Sequence, residues 1–99
     1  MNQYTAALQR ANSVRSERAE IKRALVAGAC SPADLLRDPP ASCRRVPAHQ
    51  FLTWLPHWGD RRAERTLLAA QVSGRLTLEQ LTERARGELA EQLSRRGAR

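Results

Sequence analysis

The chain is nearly devoid of lysine: Lys22 stands against sixteen arginines. It is also thin in aromatics, with Tyr4, Phe51, Trp54 and Trp58 the only Phe, Tyr or Trp residues. No run approaches the roughly 18 apolar residues that a membrane helix needs, and no apolar leader follows Met1, so the expected location is the cytoplasm, or the nucleoid if the partner is DNA. Cys30 and Cys43 are the only cysteines. With His49 and His57 they form Cys-x12-Cys-x5-His-x7-His. That pattern lacks the close cysteine pair of a zinc site, so reduced thiols and no metal or other cofactor are expected. Repeats, low-complexity blocks and strand-like alternation are missing too. The expected class is all-α.

Catalytic groupings are equally scarce. Neither histidine has a nucleophile at a defined spacing, and a domain of 99 residues leaves little room for a substrate pocket, so the chain reads as a non-enzyme.

What the sequence has is positive charge, +7 net with a pI of about 11.2. Arginine is the better bidentate phosphate fork, so the charge points to a polyanionic partner, while the lysine deficit reads as the codon bias of a GC-rich genome. The densest region is residues 44–65, with five arginines and two acids.

Taken in order, residues 1–28 form a long helix from about Thr5 to Ala27, closed by Gly28. Its second half, dense in apolar residues from Ile21 to Val26, should dock, while its first half projects. Residues 29–96 form the helical domain. Ser31 caps a short helix with Pro32 at its first position; Asp38-Pro39-Pro40 ends it, and 38–46 is an irregular connector. Pro47 opens a third helix carrying Phe51, Leu52 and Leu55 inward. Ala63, Leu67, Leu68 and Ala70 give the fourth helix its apolar face. Thr77 with Gln80 reads as a capping box, Thr82 as a second cap, and Leu81, Ala85, Leu89 and Leu93 as the inner face of the last helix. The residues from Ser94 onward read as a frayed tail, disordered at 97–99.

The chain is organised around Phe51 to Ala63, where a helix runs into Pro56-His57-Trp58-Gly59 and restarts as a basic helix. Pro56 stops the incoming helix, Gly59 offers a positive φ, and Asp60 offers an N-cap for a helix beginning near Arg61. A helix N-terminus followed by Arg61, Arg62 and Arg65 suits a phosphate. Trp54 is expected in the core, and Trp58 over the elbow or exposed.

The words Arg18-Ala19-Glu20-Ile21-Lys22, Leu35-Leu36-Arg37-Asp38 and Leu52-x-x-Leu55-Pro56-x-x-Gly59-x-x-x-Ala63 resemble the actinobacterial integration host factor family of small nucleoid-associated proteins. The order of helices matches along nearly the whole chain. The resemblance implies a helix–two-turn–helix at about residues 47–93 that grips duplex DNA by its backbone, with little sequence preference, and compacts or bends it. Carried over by position, Pro56, His57, Trp58, Gly59 and Arg62 lie against phosphates, and Arg45, beside Arg44, matches a basic position of the family. Two departures stand out: Asp60 replaces the usual lysine after the glycine, and the arginine-rich stretch before the last helix keeps only Arg75. Arg61, Arg65 and Arg75 are the remaining candidate contacts, with Arg15, Arg18 and Lys22 on the first helix as a second one.

The leading expectation is therefore a double-stranded DNA-binding architectural protein, monomeric when unbound. The alternatives are a protein-interaction module on the same fold, with a protein partner replacing weakened DNA contacts, and an RNA binder.

Overall fold

The computed structural model describes residues 3–95, with side chains from residue 8 onward. Five α-helices carry the fold: α1 (Gln3–Ala27), α2 (Pro32–Arg37), α3 (Ala48–Thr53), α4 (Asp60–Ala70) and α5 (Glu83–Arg95). Two 3-10 turns, Ala41–Cys43 and Leu78–Gln80, punctuate the connectors. The all-α class holds, and the described residues include no strand. The helix α5 runs on through Arg95 rather than fraying at Ser94; residues 97–99 lie outside the described residues.

Gly28 ends α1 because its φ of +73° turns the chain left-handed. Its N–H donates to the Leu25 carbonyl (3.2 Å) and that of Ala29 to the Ala24 carbonyl (2.8 Å), the paired bonds of a Schellman end. Only the second half of α1 docks. Leu25 is fully buried with Ile21 packed beside it, whereas residues 8–13 are all exposed. Arg18 Nε pins the docked half by donating to the Ser42 carbonyl at 2.6 Å.

The core is aliphatic around one ring: Phe51 meets Leu25, Leu36, Leu52, Leu78, Leu89 and Leu93, all fully buried. Each such side chain contributes about 1.5–3 kcal/mol on leaving water. The capping signals place the flanking helices. Ser31 accepts from the Asp34 N–H, and Thr82 Oγ1 accepts from the Ala85 N–H at 3.1 Å. Gln80 Oε1 accepts from the Thr77 N–H at 3.0 Å, but the Thr77 hydroxyl is buried without a close hydrogen bond, so only the glutamine arm of that box is well formed.

Two arginines of α5 act as caps for other helices. Arg86 Nη1 donates to the Leu36 carbonyl at 3.0 Å, closing α2, and Arg84 reaches the Ala70 and Gln71 carbonyls at 3.5 Å, closing α4.

A short antiparallel clasp positions the elbow. Segments 44–49 and 74–79 run alongside each other through Glu79 N to Arg44 O (2.9 Å), Leu78 N to Val46 O (3.0 Å), Ala48 N to Leu76 O (2.8 Å) and His49 N to Gly74 O (3.1 Å). The last two bonds satisfy amides at the start of α3, which no side chain caps. Glycine is required at 74, since a Cβ there would lie 2.8 Å from both His49 Cβ and Leu67 Cδ1.

Candidate nucleic-acid interface

The elbow is built differently from its sequence expectation in four respects. The left-handed residue of the turn is His57, at φ +66°, and not Gly59, which is extended at φ −97° and ψ −177°. Histidine is among the residues that tolerate this region best, so the turn closes without a glycine there. Gly59, not Asp60, occupies the cap position, and α4 begins at Asp60. Both rings pack, as expected, but Trp58 is the buried one, only 6% exposed, while Trp54 is half-buried against the core. Leu68, assigned to the apolar face of α4, is instead 76% exposed.

Gly59 is the N-cap of α4, where glycine is favoured over alanine and the larger apolar residues, but neither a positive φ nor a lack of space requires it. Its backbone is ordinary extended chain, and an added Cβ would meet no atom within 4 Å. The first helical bond of α4 runs from the Ala63 N–H to the Gly59 carbonyl at 3.1 Å, and no described side chain caps the end. Among the described residues, the N–H groups of Asp60 and Arg61 have no acceptor, as expected for the first turn of a helix. The Asp60 carboxylate is turned aside, its Oδ1 lying 3.8 Å from His49 Nε2.

Around this corner, Arg62 lies over the Trp58 ring, with Cζ 4.4 Å from the centroid. Arg61 and Arg65 line a shallow cleft with Glu64 and Leu68. Arg75 lines an adjoining groove of about 680 Å³ with Pro47, His49, Leu67, Leu68 and Val72. Arg44 belongs to a different cleft, with Arg37, Pro39, Glu79 and Arg86. Arg45 is exposed in the same connector. On α1, Arg15 is exposed, Arg18 is committed to Ser42, and Lys22 Nζ sits 4.8 Å from the Trp54 ring centroid. The described residues contain no group of three His, Cys, Asp or Glu able to hold a metal ion.

No family model and no curated protein matches the chain. Among solved structures it is similar to sIHF bound to an 8bp palindromic DNA, with a TM-score of 0.75 over 85% of this chain and 97% of that one. The chain has the fold of sIHF. At 21% identity the likeness to sIHF is one of fold, and no described helix is long and apolar enough to cross a membrane.

His49 is the residue of this corner that has no site role in the sequence analysis. It touches Asp60 through its ring and Gly74 through its backbone, and both contacts depend on the clasp between segments far apart in sequence.

Proposed function

We propose that this protein is a non-enzymatic, architectural binder of duplex DNA that grips phosphates at the turn 56–59 and the head of α4. The observation that carries this reading is Gly59: an extended glycine with open space above it, at the head of a helix that no described side chain caps, followed by the arginines at 61, 62 and 65. With no side chain at 59, a group arriving from outside can approach the backbone closely. A phosphate fits the N–H donors, the helix dipole and the arginine forks. The fold shared with DNA-bound sIHF supports the same reading.

Arg44, Arg45 and Arg75 extend the basic surface through the connectors joined by the clasp. Contacts of this kind position a duplex and carry little sequence information, so binding is broad, weakly selective and strongly salt-dependent. Compaction or bending of DNA, and residence in the nucleoid, follow from such binding.

Fluorescence anisotropy with a mixed-sequence duplex across a salt series tests the proposal, comparing the wild type with Arg61→Glu/Arg62→Glu. Salt-sensitive binding lost in the double variant is the expected result. Absence of binding at low salt overturns it, and preference for structured RNA in competition would reassign the partner. A second reading has one observation in its favour: Leu68, exposed beside the 680 Å³ groove, is an apolar feature that phosphate binding leaves unused. A protein partner seated there would be compatible with DNA at the elbow.

A further inference from the structure

We infer that His49 belongs to the phosphate grip and that, by holding Asp60, it makes duplex binding depend on its own protonation. This rests on the duplex-binding reading above and adds to it the residue that sets its strength.

Asp60 is a liability for a phosphate site. It is the first residue of α4, one position after Gly59, and its carboxylate is largely exposed. A negative charge there repels a phosphate approaching the same amides, and it could fold over them as a cap. It does not cap α4, since no described side chain does, and its Oδ1 lies 3.8 Å from His49 Nε2.

The placement of His49 is rigid. Its N–H is bound to the Gly74 carbonyl at 3.1 Å, and its Cβ is packed where glycine alone fits at 74. Its ring is a third exposed, so it faces both Asp60 and solvent.

Two states follow from this geometry. With a neutral imidazole, the Asp60 carboxylate keeps its full charge beside the incoming phosphate. With an imidazolium, the pair is neutral and the corner presents a further N–H donor. The other charged groups facing His49 are Glu64 on α4 and Arg75 on the connector, which line the same groove and are of opposite sign. Asp60 thus remains the nearest charge and the one protonation offsets.

The sign of the linkage is fixed. A bound phosphate favours the protonated histidine, so binding tightens as pH falls, with a slope of up to about one log unit in Kd per pH unit.

The chain has two histidines, so the assignment is clean. Duplex affinity is measured by anisotropy at constant ionic strength between about pH 5.5 and 8, the range in which histidines titrate. Wild type and His57→Gln should tighten as pH falls, while His49→Gln stays flat at the weak alkaline level. Asp60→Asn, an exposed change that cannot disturb the core, should tighten binding at pH 8 by about tenfold, or about 1.4 kcal/mol, while the remaining pH dependence still disappears with His49→Gln. An unchanged pH profile in His49→Gln, or no tightening in Asp60→Asn, overturns the inference while leaving duplex binding intact. No binding by the wild type at any pH overturns the duplex reading itself.

Discussion

The guanidinium of Arg62 rests on the indole of Trp58, Cζ 4.4 Å from the ring centroid, and that ring is 6% exposed. The arginine therefore roofs the core as well as facing the proposed DNA surface. Neighbouring Arg61 is exposed and makes no such contact. Arg62→Ala is expected to cost about 0.5–2 kcal/mol in urea unfolding, through lost stacking and packing, and to weaken duplex binding. Arg61→Ala should leave stability unchanged within about 0.5 kcal/mol and lower the log Kd against log salt slope by about one phosphate contact. Equal stability losses in the two variants would contradict this division.

Gly59 and Gly74 should respond in opposite ways to alanine. At 59 the backbone is extended and the space open, so Gly59→Ala should fold, losing only the N-cap preference of glycine over alanine, about 0.5–1 kcal/mol, yet bind duplex more weakly. At 74 the new Cβ would press on His49 Cβ and Leu67 Cδ1, each at 2.8 Å, and the expected loss is about 1–3 kcal/mol. Thermal melts together with one binding titration decide both.

Arg86 should be silent in DNA binding. Its Nη1 closes α2 through the Leu36 carbonyl at 3.0 Å, and the side chain is half-buried. Arg86→Ala removes a charge-assisted hydrogen bond and leaves that carbonyl bare, a cost of about 1.5–3 kcal/mol. The salt slope of duplex binding should be unchanged, which a titration of the folded variant would show.

Burial pushes the Cys43 thiol above its ordinary value of 9.0, against smaller opposing effects of the Ser42 hydrogen bond and the nearby Arg18. Glu17 adds a minor push in the same upward direction. The folded thiol keeps its proton at pH values where the unfolded one has lost it. Its contribution to stability is thus complete below pH 9.0 and declines as pH rises through the higher folded value. Urea unfolding followed from neutral pH to about pH 10.5 should show this alkaline decline, and Cys43→Ala should flatten it. Cys30, also raised by burial, adds to the decline in the same direction.

Much of the helical frame is legible in local sequence because local chemistry determines it. Ser31-Pro32 starts a helix, Gly28 ends one, and Leu81, Ala85, Leu89 and Leu93 mark an inner face wherever they occur, and all four are buried. The elbow was readable as a turn but not in its detail. Pro-x-x-Gly says where the chain bends, but not that His57 takes the left-handed conformation or that Trp58 is buried. The arginines were the hardest to sort. Arg84 and Arg86 look like surface charge in sequence, and only the packing of α5 on α2 and α4 turns them into caps. His49 was invisible for a related reason, because its neighbours Asp60 and Gly74 come from two separate segments brought to it by the clasp.

The pairing of 44–49 with 74–79 turns α3, the elbow and α4 into a ring with its fastening on the side of the connectors. Such a ring cannot exist in any shorter intermediate, because the fastening requires both of its ends. The helices of the elbow are too short to be stable alone, and His49, Gly74 and the head of α4 become one surface only after residue 79 is available. A nascent or truncated chain ending before that point would hold the basic helix without the corner that aims it.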